Sequence, residues 1–246
     1  MRVIFLGTGV VYPERNRAQS SILVRTKTQD LLLDCGDGAL RRIYESGNSI
    51  EGIDHLLFTH NHLDHNADFL SLVRARQEVG KNYLHIYGPV GTEQLLSNLL
   101  QAYDLQVNAQ IRELGDSDQI QIGELTVVSK EAVHSIPALC FKIQAEGKNL
   151  IYSGDTEPCE SLKSLCRDQV DLLIHECSFP DGFEKTAGHA TPMQLGKLIS
   201  NLPVKQLAIT HLYPQATANL QGIIAGIAKY YSGEIIVAED LLEVEI

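Results

Sequence analysis

The chain has 246 residues, 44% of them hydrophobic and 21% charged, with a formal net charge of -11. That composition suits an ordinary soluble globule with one large core. No apolar stretch reaches the roughly 18 residues that span a bilayer, and so acidic a chain is a poor candidate for gripping long nucleic acid by its phosphates, although bound cations would add positive charge locally.

The opening, Met1-Arg2-Val3-Ile4-Phe5-Leu6-Gly7, has too short an apolar core and no small-residue cleavage site for a signal peptide, so a cytoplasmic protein is expected. Residues 2–6 read as a strand that ends in the turn Gly7-Thr8-Gly9. A polar loop over residues 10–19 follows, carrying Pro13-Glu14-Arg15-Asn16-Arg17. Ser21–Arg25 and Asp30–Leu33 suggest a strand pair, Asp34-Cys35-Gly36-Asp37-Gly38 another tight turn, and residues 39–46 a helix. Neither Gly-x-Gly is followed by Gly-Lys-Ser/Thr, so the glycines serve sharp turns near a site rather than a nucleotide loop.

The apolar run 53–58 leads into Thr59-His60-Asn61-His62-Leu63-Asp64-His65, where four potential metal ligands stand within six residues. At this chain's His and Asp frequencies, such a motif arises by chance roughly once in a thousand sequences. Imidazoles with a carboxylate suit zinc or a similar divalent ion, and two ions could share so dense a cluster. A helix over 66–79, a short strand over 84–87 and a helix over 92–103 follow. Next come two hairpins, 119–122 with 125–130 and 138–145 with 149–152, and strands at 171–174, 206–210 and 234–237. Without linker or repeat, residues 1–246 read as one domain, with two packed sheets and helices outside.

Three further ligand-type residues recur in one placement. His134 follows Val133, read as a strand end; Asp155 follows the run 150–154, and His211 the run 207–210. Singly each is weak, but the repetition gathers distant loops along one rim of the sheets. Thr191-Pro192-Met193-Gln194 reads as a capped helix start with His189 just before it, where free amides would favour a phosphate beside a proton donor. Arg15, Arg17, Arg74 and Arg76 are candidate phosphate contacts. His55, His85 and His175 read as structural, with His175 the one expected to support a ligand from behind. Five cysteines with no Cys-x-x-Cys pair indicate reduced thiols.

The motif with His134, Asp155 and His211 in that order resembles the metallo-β-lactamase superfamily over nearly the whole chain. The resemblance implies an α/β, four-layer αββα sandwich with two metal ions at one edge, most simply zinc, with manganese or iron as alternatives. It places His60, His62 and His134 on one ion, Asp64, His65 and His211 on the other, and Asp155 between them. Asp at the bridging position and the extra His65 point to hydrolase branches other than antibiotic-degrading enzymes, and His62 stands where flavodiiron proteins carry Glu.

The stretches Phe5-Leu6-Gly7-Thr8-Gly9, Pro13-Glu14-Arg15-Asn16-Arg17, Asp34-Cys35-Gly36-Asp37-Gly38, Tyr152-Ser153-Gly154-Asp155-Thr156, Leu173-Ile174-His175-Glu176-Cys177 and Gly188-His189-Ala190-Thr191 are similar to the ribonuclease Z branch. That implies a phosphodiesterase using a metal-bridging hydroxide, Asp64 orienting it and taking its proton, His189 protonating the leaving oxygen, and a possible homodimer. tRNA-processing members carry a long arm between the residues matching His134 and Asp155; residues 135–154 leave no room for one. A small phosphodiester is therefore the first expectation and a tRNA 3′-endonuclease the second. An ester, thioester or lactone hydrolase, a mononuclear iron dioxygenase and a non-catalytic module follow.

Overall fold

Strand β1 (Arg2–Gly7) shows how the chain builds its layers: Val3 and Phe5 enter one apolar cluster, Ile4 and Leu6 another, and all four are fully buried. A strand covered on both faces reads as an unbroken apolar run rather than an alternation. The computed structural model describes residues 1–184 and 187–246. β1 pairs antiparallel with β2 (Ser21–Arg25), which pairs antiparallel with β3 (Asp30–Leu33). After helix α1 (Ala39–Glu45) the connections become right-sized crossovers. β4 (His55–Leu57), α2 (Phe69–Glu78), β5 (Tyr83–Gly88), α3 (Thr92–Ala102) and β6 (Asn108–Glu113) continue the sheet in parallel.

The second sheet starts with the hairpin β7 (Gln119–Ile122) and β8 (Leu125–Glu131), followed by β9 (Leu139–Ala145) and β10 (Lys148–Tyr152). Glu146 and Gly147 join the last two with φ of 53° and 72°, the left-handed pair that a tight hairpin turn requires. Helix α4 (Glu160–Leu165), β11 (Val170–Glu176), α5 (Pro192–Ile199), β12 (Val204–Thr210), α6 (Pro214–Thr217), α7 (Leu220–Ala228) and β13 (Glu234–Val237) complete it, with β10 to β13 parallel. The last strand, β14 (Glu243–Glu245), returns to the first sheet beside β1.

Three buried clusters define four layers. Val3, Phe5, Leu33 and Leu57 of the first sheet meet Phe141, Leu150, Leu172 and Ala208 of the second. The first sheet's outer face packs under α1, α2 and α3 through Ile43, Phe69, Leu72 and Leu96. The second packs under α4, α5 and α7 through Leu162, Leu195, Ile199 and Ile227. This is the expected αββα sandwich. No helix among the described residues is long and apolar enough to cross a membrane.

The metal-motif loop lies where the sheets meet. Leu139 N donates to Thr59 O at 2.9 Å, and His60 bridges to Ala138. One strand end differs from the reading above: β8 stops at Glu131, and Val133 makes only an isolated bridge to Glu157. His134 therefore sits in the loop between β8 and β9. β6 and β14 escaped the pattern because polar residues outnumber apolar ones in both.

Candidate metal centre

Beyond β4 the backbone turns once through Leu63–His65 and folds the motif back on itself. His60 Nε2 lies 3.0 Å from His62 Nδ1, which is 3.1 Å from His134 Nε2. The corners of a tetrahedron around zinc, with bonds of 2.0–2.1 Å, are about 3.3 Å apart. Three imidazole nitrogens thus stand close to the spacing of one ion's ligands. Deeper in, Asp155 Oδ2 is 3.9 Å from His60 Nε2, 3.6 Å from His65 Nε2 and 3.2 Å from His211 Nε2. Asp64 Oδ2 is 3.4 Å from His211 Nε2.

These atoms form overlapping groups, each within 4.8 Å: His60 with His62 and His134, His60 with His65 and Asp155, Asp64 with His65 and His211, and Asp155 with His189 and His211. All seven residues singled out from the sequence converge, and Asp155 joins the two ends. His189 enters as a neighbour of the same carboxylate.

Charge follows the geometry. Burial, then the neighbouring His65, holds the His60 imidazole well below its ordinary value, and burial also lowers His62 and His134. Neutral rings offer the lone pair that a cation takes. Burial works against the ionised Asp155, yet His211, His65 and His60 outweigh it and hold the carboxyl well below its usual range. Asp64 also overcomes burial, through its bond from His211, and lies at about 2. Burial opposes a charged His65 too, but Asp155 and Asp34 raise it well above the ordinary value.

His65 supplies the strongest test of whether a cation fits. Its ring is fully buried, Nδ1 donates to Asp34 Oδ2 at 2.9 Å, and Nε2 has no hydrogen-bond partner among the described residues. A buried nitrogen aimed at a carboxylate too distant to bond, with its sister nitrogen fixed by another carboxylate, is the arrangement of a metal-ligating histidine. The residues fit a pair of divalent ions.

Groups behind the ligands fix their orientation. Asp34, fully buried at φ 55°, accepts from Thr59 N at 2.8 Å, Thr59 Oγ1 at 2.9 Å, His65 Nδ1 and the Tyr152 hydroxyl at 2.8 Å. His134 Nδ1 donates to Gly188 O at 2.8 Å, and His211 Nδ1 to Ser178 Oγ at 3.0 Å. Gly188, at φ 81°, must be glycine: an added Cβ would stand 2.8 Å from His134 Nδ1. Glu176 Oε1 receives His189 Nδ1 at 3.2 Å and Ala190 N at 2.8 Å. Burial would depress the His189 imidazole, but Glu176 raises it above the ordinary value.

Asp34, Glu176, Ser178 and Gly188 were not singled out as functional residues in the sequence. Asp34 follows an apolar strand as Asp155 does, so the same placement rule would have found it. Tyr213 was also missed. It lines the site pocket of about 330 Å³ with Asp64, Asp155, His189 and His211, stacking on Phe179 at 4.6 Å.

Three other expectations are corrected. The amides at the start of α5 are not free for a phosphate, since Thr191 N goes to Gln194, Met193 N to Asp181 and Ala190 N to Glu176. The expected capping box takes the Thr191 and Gln194 amides, and Asp181 and Glu176 take the others. His175 supports no ligand among the described residues: its Nδ1 bonds Glu176 O at 2.6 Å and its Nε2 is buried with no partner among them. Two of the arginines are structural and a third forms an exposed surface pair. Arg76 is buried and holds Ile50 O, Asp54 and Tyr83 O; Arg17 holds Thr8 and Ala238 O; Arg74 pairs with Glu78.

A family model described as the beta-lactamase superfamily domain matches residues 29–212. The chain belongs to the beta-lactamase superfamily. Within that superfamily it is similar to Ribonuclease Z of Methanosarcina mazei, 28% identical over 301 aligned positions that cover all of this chain and 98% of that protein. The alignment is longer than the 246 residues here, so the relative carries insertions that this chain lacks. Two crystal structures share the fold. The metallo-beta-lactamase fold protein YhfI from Bacillus subtilis has a TM-score of 0.87, 24% identity and 99% coverage of both chains. The short form of human tRNase Z has a TM-score of 0.82 and 24% identity, covering 100% of this chain and 99% of its own.

Proposed function

We propose that this protein is a metal-dependent phosphodiesterase in which His60, His62 and His134 hold one divalent ion, Asp64, His65 and His211 hold a second, and Asp155 stands between. The observation that carries the reading is the overlap of ligand groups around Asp155, with His189 held at their edge by Glu176. Divalent ions bound by these residues would supply a coordinated water of pKa ~7 and neutralise charge on the phosphoryl oxygens. Zinc is the proposed ion, because imidazole-rich sets with carboxylates suit it.

The chain's own residues do the rest. Asp64 orients the attacking water as a hydrogen-bond acceptor and takes its proton. His189 keeps Nδ1–H on Glu176, which leaves Nε2 to give its proton to the departing oxygen. Tyr213, at the wall of the same pocket, offers a hydroxyl to the substrate.

A tRNA 3′-endonuclease is the second reading, supported by whole-chain similarity to proteins named Ribonuclease Z. Against it stand the net charge of -11 and the short β9–β10 hairpin, which uses nearly all of residues 135–154. The deciding experiment is side-by-side assay of zinc-loaded protein on bis-p-nitrophenyl phosphate, a p-nitrophenyl carboxylic ester and precursor tRNA. Turnover of the first is expected to dominate. Preference for the carboxylic ester would move the reaction to acyl carbon, and clean cleavage of the tRNA would move it to RNA. A cytoplasmic setting, in keeping with five free thiols, and a homodimer belong to the same proposal; light scattering tests the dimer.

A further inference from the structure

A second cavity adjoins the metal centre and has no part in the reaction as described so far. The loop between β8 and β9 and the turn after β5 enclose about 470 Å³, walled by Pro89, Val90, Ile136, Pro137 and Leu139. It meets the site pocket at His134 and Ser135, which line both. Its size falls within the roughly 300–1,000 Å³ of small-molecule sites.

Its chemistry contrasts with its neighbour's. Among the described residues no Lys or Arg lines it, and the one carboxylate is Glu131. An anion would lose solvation there without gaining a partner, whereas a neutral apolar group would shed water against aliphatic carbon. Val90, 65% exposed at the rim, is an aliphatic side chain that a ligand would cover.

A phosphodiester carries its charge at phosphorus and two organic arms. The arm that departs must meet His189, whose ring lies beside Phe179 and Tyr213 as well as His134, and His189 itself is not among the residues lining this cavity. The arm that remains on phosphorus is the one left for it. We infer that this cavity is a specificity subsite for the retained ester arm of the substrate, a neutral apolar group of aryl or nucleobase size seated against Val90 and Ile136. This inference rests on the phosphodiesterase reading above.

The test compares two diesters with one leaving group, phenyl p-nitrophenyl phosphate and methyl p-nitrophenyl phosphate, on zinc-loaded protein, each corrected for its uncatalysed rate. The phenyl ester is expected to be favoured about 10- to 100-fold in kcat/KM. Val90→Asn and Ile136→Asn are expected to bring that ratio to within about threefold of unity while sparing the methyl ester. Val90 is exposed enough that its variant tests the cavity should the Ile136 change disturb the fold. A wild-type ratio near one, or a ratio unmoved by both variants, overturns the subsite while leaving the phosphodiesterase intact. Calorimetry with phenylphosphonate and methylphosphonate reads the cavity without turnover. If neither diester is hydrolysed, tighter phenylphosphonate binding that depends on Ile136 upholds the subsite and rejects the reaction; equal binding rejects both.

Discussion

Asp34→Asn isolates the group that holds His65 in place. Asn is close to isosteric and tolerates the left-handed backbone at φ 55°, so the change is in hydrogen bonding and in the charge beside His65. Oδ1 takes Thr59 N at 2.8 Å, and Oδ2 takes Thr59 Oγ1 at 2.9 Å, His65 Nδ1 at 2.9 Å and the Tyr152 hydroxyl at 2.8 Å. An amide can match only one side. With its NH₂ toward His65 it faces donors, and the ring must shift its proton to Nε2, the nitrogen meant for the cation. Flipped over, it confronts the Thr59 amide. Either arrangement leaves at least one buried polar group unsatisfied, at about 1–3 kcal/mol. For a chain of this size that lowers Tm by about 2–4 °C per kcal/mol. Losing a partner behind a ligand typically weakens metal binding by about 10- to 100-fold. Zinc affinity, measured by competition with a chromogenic chelator, should fall by that factor, with the melting temperature of the metal-free protein falling in parallel. Affinity within twofold of wild type would refute the role of Asp34 and weaken the case for His65 as a ligand.

Other outcomes follow from the same geometry. His189→Ala should slow a phosphodiester with an alkoxide leaving group by about 10² or more, and p-nitrophenyl esters far less, because p-nitrophenolate departs without a proton; equal losses on both would reassign the acid. Chelation should destabilise the protein, and zinc at 100 times its Kd should restore about 2.7 kcal/mol, read as a Tm rise; an unmoved Tm would argue against binding at the buried site. Arg76→Met should cost about 2–4 kcal/mol in urea denaturation, because it strands the carbonyls of Ile50 and Tyr83, while kcat stays near wild type; a selective loss of kcat would return Arg76 to substrate binding.

The parts of this molecule that could be read in the sequence are those with a strong local signature. Apolar runs marked β1, β2, β3, β11 and β12, and the turns at 123–124 and 146–148 marked both hairpins. The dense His60 to His65 motif drew attention to the site. Asp34 was legible by the same placement after an apolar strand that marked Asp155, but its contacts, 31 residues away with His65 and 118 residues away with Tyr152, were not. The α5 amides misled for the opposite reason: the local capping signal was right, and the same contacts that satisfy it, with Asp181 and Glu176, exclude an anion. Arginine positions carried no information about burial, and Arg76 proved one of the largest fully buried side chains.

The ligand groups draw on both halves of the sandwich: His60 to His65 extend from β4, whereas His134, Asp155 and His211 belong to loops of the opposing sheet. Neither half alone could assemble a complete cage, so a cation captured here acts as a rivet across the seam. Any slip of one sheet against the other would then register first as a leaking ion, well before the chain unravels.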